Sequence, residues 1–497
     1  MRRINIVKRG ALAGLLTLAA CGGSSSPAKP DGAAGTTGGA GGTGGGGTSG
    51  GGMSGGAGGG GTGGSTSGGG SDGGTPSDGS AGLGAVTLKP FTKPVDPGKG
   101  GILFAASGEV LALQGYSFPP ANAGDPSFVD GWDVQFTRLL VTVDKIKLSS
   151  NPDYKPDQSM LPLNSLVAEV DGPWAIDLAH GDASYLPGKG GPGEEAVPIA
   201  ALSKQNQPAG NTAAFLTDGT RYAFGFDTVA ATSSAMNVNI DSAGLADYSE
   251  MIQNGCAVMY VGVATFKGGV VTATTGNMAD YTKCNSDPEY ANWPKTVNFR
   301  LCFKSPTSYV NCQNPDNDPA KPMSGEEHER GIAFSPTQSV VGQVTVHTDH
   351  PFWDSVLHDS PAHFDQFAAR VVPALVDGGA SSDGGAIDGG ATDGATPPTP
   401  TVTLDMTMGV DYRSYTDSNG KALKWRYCMD PPTDVHAQFT GAMAFDPQSV
   451  SHAMGTDRTT GLLDYYDYST YNQSTQGHLN SNGLCALQRH YYQMTLP

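Results

Sequence analysis

Trp132-Asp133-Val134-Gln135-Phe136-Thr137-Arg138-Leu139-Leu140-Val141-Thr142-Val143-Asp144-Lys145-Ile146-Lys147-Leu148 is the stretch from which the fold class is read. Trp132, Val134 and Phe136 share one phase of a two-residue period, Val141 and Val143 share the other, and Ile146 and Leu148 return to the first. A period of two is that of a strand, whose successive side chains point to opposite faces. A change of phase without loss of the period implies bulges or a bend in one long strand, because a slip of one residue exchanges the faces.

Other segments extend this reading. Val258-Met259-Tyr260-Val261-Gly262-Val263 is apolar on both faces, as a central strand is, whereas Val297, Phe299, Leu301 and Phe303 alternate with Asn298, Arg300, Cys302 and Lys304, as in a half-exposed one. Lys421 to Cys428 and Tyr465 to Tyr471 also read as strands. Helices are scarce. One is expected from Ser360 as N-cap and Pro361 in the first turn, with Phe364, Phe367, Ala368 and Val371 at helical spacing. Another is expected from Leu245 to Asn254, stopped by Gly255. The fold class is therefore mainly β, an antiparallel β-sandwich with one or two short helices and long disordered Gly/Ser-rich segments.

The N-terminus carries Arg2, Arg3, Lys8 and Arg9 without an acid, then an uncharged, largely apolar run from Gly10 to Ala20. This is the pattern of a signal peptide, 1–20, and the run is too short for a permanent membrane span. Leu18-Ala19-Ala20-Cys21 resembles the lipobox of bacterial lipoproteins. That resemblance implies cleavage before Cys21, lipidation of its thiol and partition with membranes, since each buried acyl methylene contributes about 0.8 kcal/mol. Gly22, where the family has Asp for inner-membrane retention, implies an outer-membrane destination, on either its periplasmic or its surface face.

From 21 to 85 the chain is nearly all Gly, Ser, Thr and Ala, which cannot bury enough apolar surface to offset chain entropy. A flexible stalk of this length has a mean reach on the order of 45 Å. A second biased tract, 377–400, repeats Asp-Gly-Gly-Ala and ends in Thr-Pro-Pro-Thr-Pro, as a disordered acidic insertion does. The folded parts are expected at 86–376, the β-sandwich domain, and at 401–497, a C-terminal β segment completing that domain.

Removing the leader leaves 25 basic residues against 47 acidic ones, a formal charge of −22, which makes nucleic acid an unsuitable partner. Six cysteines remain besides Cys21: Cys256, Cys284, Cys302, Cys312, Cys428 and Cys485. In an oxidising compartment an even count reads as disulfides. The first pairing expected is Cys302 with Cys312, because their segment reads as a hairpin; Cys428 with Cys485 and Cys256 with Cys284 follow. No CxxC supports a thioredoxin-like or zinc-ribbon site.

The order of segments Gly131 to Phe136, Leu139 to Leu148, Arg221-Tyr222-Ala223-Phe224-Gly225-Phe226-Asp227, Asp247-Tyr248 and Gly255 through Phe266-Lys267-Gly268 is similar to the MbnP-like lipoproteins. The resemblance implies a β-sandwich and an association with copper. It carries over no ligand residue, and this chain departs from the family in its length, extra cysteines and interrupted C-terminal part.

Four of the ten histidines fall between His347 and His363, in Val346-His347-Thr348-Asp349-His350-Pro351-Phe352-Trp353 and Leu357-His358-Asp359-Ser360-Pro361-Ala362-His363-Phe364-Asp365. If Gln343 to Asp349 is a strand, Thr345, His347 and Asp349 share a face, and Pro351 holds His350 extended at its end. His347, His350, His358 and His363 with Asp349 and Asp365 are the candidate ligands for one copper or zinc ion, with neighbouring carboxylates orienting the rings. The spacing fits no specific zinc signature, and surface or hydrogen-bonded structural histidines are the plainer alternative. Asp359 and Asp365 also suit a helix N-terminus.

Glu326-Glu327-His328-Glu329-Arg330 lacks the second His of a metalloprotease helix and reads as a solvated loop. Asp464 and Asp467 lie among Tyr465, Tyr466, Tyr468 and Tyr471, which alternate like a sheet surface able to stack on sugars or simply to pack. The folded part contains neither a GxSxG elbow nor a Walker loop. Three functional classes follow: a non-enzymatic envelope lipoprotein that binds a metal, a structural or adhesive module that binds glycan or another envelope protein, or a hydrolase with a site assembled from distant residues, for which no motif speaks.

Overall fold

The alternating run around Trp132 is one strand of 19 residues. The computed structural model describes residues 85–121, 125–150, 166–189, 193–203, 221–268, 293–314, 330–353, 362–372, 398–410, 428, 462–475 and 485–490. The signal peptide, Cys21, the stalk up to residue 84, most of the 377–400 tract, 421–427, 326–329, His358 and Cys284 lie outside the described residues. Among the described residues no helix is long and apolar enough to cross a membrane.

The strands are β1 (Lys89–Pro90), β2 (Ile102–Ser107), β3 (Trp132–Ser150), β4 (Leu166–Val170), β5 (Trp174–Asp177), β6 (Leu186–Pro187), β7 (Glu195–Leu202), β8 (Arg221–Thr228), β9 (Met236–Asn237), β10 (Val258–Phe266), β11 (Thr296–Phe303), β12 (Thr307–Cys312), β13 (Ile332–Ala333), β14 (Val340–Thr345), β15 (Thr401–Thr403) and β16 (Ala486–Arg489). The helices are α1 (Glu109–Gln114), α2 (Gly244–Asn254), α3 (Asp365–Ala368) and α4 (Tyr465–Gln473).

One sheet runs β1-β9-β5-β3-β10-β11-β15, with β4 and β8 also on β3, β12 and β13 on β8, and β16 on β12; a smaller sheet runs β14-β2-β7-β6. Pairing is mostly antiparallel, but β1 with β9, β5 with β9, β11 with β15 and β14 with β2 are parallel, so the sheets are mixed rather than antiparallel throughout. Both sheets contribute to one hydrophobic core. Phe104 of β2 stacks on Phe224 of β8 with ring centroids 6.0 Å apart.

The phase changes in β3 have a structural cause. Against β10, Arg138 is opposite Val261 and Phe136 opposite Gly262, so Thr137 is an extra residue. Against β8 the register shifts between Asp144 and Lys147, where Lys145 has φ 46°. Each bulge keeps the next apolar set, one residue out of phase, on the face of the same core, where Trp132, Val134, Val141, Val143, Ile146 and Leu148 all pack. At the first bulge the backbones approach so closely that a Cβ on Gly262 would collide with the Gln135 carbonyl and the Phe299 ring.

Strand β10 lies between β3 and β11, both faces packed, and β11 buries Val297, Phe299, Leu301 and Phe303 while the residues between them stay partly exposed. On the far face of this sheet, Tyr248 and Met251 of α2 pack with Leu140 and Met259. That helix ends at Gly255 with φ 72°, the left-handed cap expected of glycine.

The disulfide expectations are overturned. Cys256 bonds Cys302, with Cα atoms 5.4 Å apart, and Cys312 bonds Cys485. Cys302 with Cys312, Cys428 with Cys485 and Cys256 with Cys284 are therefore all replaced. β11 and β12 form no hairpin, because β12 turns away to pair with β8 and β16. The β10–β11 register sets Met259 opposite Cys302 and brings Cys256 alongside, while β16 lies antiparallel on β12 and delivers Cys485 to Cys312. Cys428 is also disulfide-bonded, to a partner outside the described residues.

Two local expectations also change. The helix expected from Ser360 begins only at Asp365 and is a single turn continued by a 3-10 turn over Ala369–Val371, because Ala362 is still extended and bridged to Phe128 and Trp353. Tyr465 to Tyr471 is not a strand but the body of α4. Its N-cap is Asp464, whose side chain accepts from the Asp467 N–H at 3.0 Å.

Candidate functional site

Because β14 runs parallel to β2, their C-terminal ends lie side by side: Thr345 is opposite Ser107, and the Val346 N–H donates to the Ser107 carbonyl at 2.9 Å. His347 therefore emerges beside Glu109, the first residue of α1. Glu109 has φ 62°, a left-handed backbone that a glutamate rarely adopts, and its N–H donates to Ser107 Oγ at 2.9 Å. Its Oε1 lies 3.0 Å from His347 Nδ1.

The strand stops at Thr345 rather than continuing to Asp349, and His350 opens a 3-10 turn, His350–Phe352. That turn folds His350 back over His347. The two imidazoles are nearly parallel, 12° apart in plane with centroids 4.7 Å apart, and Trp353 covers His350 at 3.8 Å. His350 Nδ1 is 2.9 Å from Thr475 Oγ1, and Trp353 Nε1 donates to Asp349 Oδ2 at 3.1 Å. Exposures of 6% for His347 and 2% for His350 mean that both rings have lost nearly all their water.

Phenols enclose the group. Tyr260 donates its hydroxyl to the His347 carbonyl at 2.9 Å, and Tyr116 Oη lies 2.7 Å from Thr348 Oγ1. Burial, with the Asp349 charge second, holds both phenols well above their ordinary pKa, so they remain neutral. Asp349 keeps some residue surface, but desolvation of its carboxylate, reinforced by the charge of Glu109, pushes its pKa up to about 6. The ring of His347 and the Trp353 N–H act in the opposite direction. Two imidazoles, two carboxylates and two phenols thus share one low-water cluster.

Helix α4 holds this segment from behind. Ser469 Oγ donates to the Pro351 carbonyl at 2.9 Å and Tyr468 Oη to the Trp353 carbonyl at 3.1 Å, while Thr475 follows directly after the helix. The tyrosines read as a sheet surface therefore act as buried struts.

The six candidate ligands do not meet in one place. His347, Asp349 and His350 are together, joined by Glu109. His363 and Asp365, each without solvent exposure, belong to a second group around Asp130. There Asp130 Oδ2 accepts from the N–H groups of Phe364 and Asp365 at 2.7 Å, His363 Nδ1 stands 3.9 Å away, and Trp132 Nε1 donates to Asp365 Oδ1 at 2.7 Å. This arrangement caps the start of α3 from another segment, a structural use of both residues. His358 lies outside the described residues. Among the described residues, no three His, Cys, Asp or Glu side chains are grouped so as to hold a metal ion.

Sequence reading missed Glu109, Thr475, Tyr116 and Tyr260. Glu109 is a lone acid between Gly108 and Val110, and nothing in that pattern announces its contact with His347. Thr475 lies just beyond the C-cap of a helix whose sequence reads as a strand. The chain matches no protein-family model, no curated protein and no solved structure.

Proposed function

We propose that this chain is a non-enzymatic cell-envelope lipoprotein, tethered through Cys21 and its Gly/Ser-rich stalk, whose β-sandwich takes up a copper or zinc ion through His347 and His350. The carrying observation is that the two rings are stacked within 4.7 Å of each other, each with its Nδ1 against an orienting oxygen, Glu109 Oε1 for one and Thr475 Oγ1 for the other. Ligating histidines are held in this manner, with the second ring nitrogen against a carboxylate, hydroxyl or carbonyl. Ligation then falls to Nε2, and because an ion lies in the plane of the ring it binds, one imidazole turns out of the stack for both to reach the same ion. Imidazole suits both metals, and a site with only two protein donors leaves positions for solvent or for a donor from a partner. His363 and Asp365 are not part of it.

The two sheets sharing one core support the sandwich, and the leader with Leu18-Ala19-Ala20-Cys21 supports the anchor, outer membrane included. Replacing Cys21 by Ser should release the protein from membranes. The mature chain, stripped with chelator and offered Cu(II) or Zn(II), should retain about one equivalent, because a preformed histidine site binds as soon as its rings are deprotonated. His347→Ala with His350→Ala should abolish retention, and Glu109→Gln should weaken it by about 10- to 100-fold. Retention unchanged in the double histidine variant would sink the assignment. Failure of the native chain to take up either ion would favour instead a structural or adhesive module binding glycan or envelope protein.

A further inference from the structure

Thr475 has one hydroxyl proton and two neighbours within reach of it. Its Oγ1 lies 2.6 Å from the Asn472 carbonyl and 2.9 Å from His350 Nδ1, and the residue has no solvent exposure. A hydroxyl carries one proton and two lone pairs, so a hydroxyl that meets two partners donates to one and accepts from the other. The shorter contact decides the direction. Two oxygens 2.6 Å apart repel unless a proton lies between them, and a backbone carbonyl has none to give, so the hydroxyl donates to Asn472. The second contact is then closed only by a proton on the ring, with Nδ1–H donating to Thr475 Oγ1.

The place of Thr475 is set by α4 and not by the histidine. It directly follows the C-cap, Ser474, and its own N–H also donates to the Asn472 carbonyl at 3.0 Å, so backbone and side chain converge on one acceptor. Tyr468 and Ser469, earlier on the same helix, hold the carbonyls of Trp353 and Pro351 and thereby fix the turn that carries the ring. We propose that Thr475 is a positioning residue that locks neutral His350 in its Nδ1–H tautomer, so that Nε2 presents a lone pair and no N–H. A nitrogen so set takes a cation or another electron-pair acceptor and turns away an anion, the reverse of a ring protonated on Nε2. The use of that lone pair rests on the metal reading above, whereas the tautomer is fixed by the protein alone.

The test is nitrogen-15 NMR of the detergent-solubilised mature chain, labelled in its histidine rings, stripped with chelator and held at about pH 8, above the ordinary histidine pKa. The signals lost in His350→Gln identify the ring. The expected result for His350 is a proton-bearing Nδ1 and an unprotonated Nε2, opposite to the form that an unconstrained histidine prefers in water. Thr475→Val keeps the shape and removes the hydroxyl, and should move the proton to Nε2; Thr475→Ser should keep it on Nδ1. A native ring with its proton on Nε2 or on both nitrogens, or a Thr475→Val spectrum identical to that of the native chain, would overturn the proposal. Because the measurement is made without metal, a failure of His350 to bind copper is read separately from a failure of the tautomer lock.

Discussion

Strands β10 and β11 and helix α4 all pack against the core but are written in opposite chemistries. β10 and β11 carry Val, Met, Tyr, Phe and Leu, with their polar backbone satisfied by neighbouring strands on the ladder. α4 is Tyr-Tyr-Asp-Tyr-Ser-Thr-Tyr-Asn-Gln, and every residue of it is buried. Burying polar groups is tolerable only where partners meet them. Tyr468 and Ser469 bond the carbonyls of the histidine segment, and Gln473 Oε1 accepts from Ser305 Oγ at 2.6 Å. The strands therefore hold by area, which tolerates small errors of position, and the helix by directional bonds, which do not. A helix of the second kind, with Thr475 just beyond its end, can fix the orientation of the His350 imidazole.

The sharpest way to break the contrast is to remove area from the strands. Phe299→Ala empties a position packed against Phe136 and Phe364 at 5.8 and 5.7 Å and should cost about 3–5 kcal/mol of unfolding free energy in urea titrations. A loss below 1 kcal/mol would mean that β11 does not hold the core. Gly262→Ala should follow at about 1–3 kcal/mol, since a carbonyl of β3 occupies the space a Cβ needs.

A smaller but local loss is expected from Asp464→Ala, which removes the α4 cap and the bond to the Gly409 N–H, about 1–2 kcal/mol. Hydrogen exchange should speed at α4 and the His350 turn before it does in β10, by local opening. Uniform acceleration across β10 and α4 would erase the distinction drawn between them.

The smallest effect concerns pH on the outer face of the strands. His180 Nδ1 lies 2.8 Å from Asp177 Oδ2, and this hydrogen bond raises the imidazole pKa, with burial opposing. A raised folded-state value means that the native state binds the proton more tightly than the unfolded chain. Its stabilisation is complete below about pH 6.5 and is lost as pH rises through the raised value. His180→Gln should flatten the urea midpoint over that window; a profile identical to that of the native chain would show the pair to be inert.

The strands were legible because apolar alternation is a local property. β3 with its two bulges, β10, β11 and the Gly255-capped α2 all announce themselves within a few residues. α4 was misread although Tyr465, Tyr468 and Tyr471 recur at three residues behind an Asp464 cap; tyrosine's β-preference masked a helical period. The disulfides were not legible, because pairing depends on which strands lie side by side, and the separation of Cys312 from Cys485 is 173 residues. The histidine site was half legible. His347 and His350 meet, but through a 3-10 turn rather than the extended strand end expected; Glu109 and Thr475 reach them through the parallel β14–β2 pairing and the fold-back of α4, and His363 is drawn off to Asp130 by the extended Ala362.

Copper(II) bound to the mature chain, followed by pulsed electron paramagnetic resonance, tests the central claim most directly, because it counts the imidazole rings on the ion. The expected result is modulation from two rings, reduced to one by His347→Ala or by His350→Ala and unchanged by His363→Ala. Modulation indifferent to His347 and His350, or lost with His363, would contradict the assignment of the site to the stacked pair.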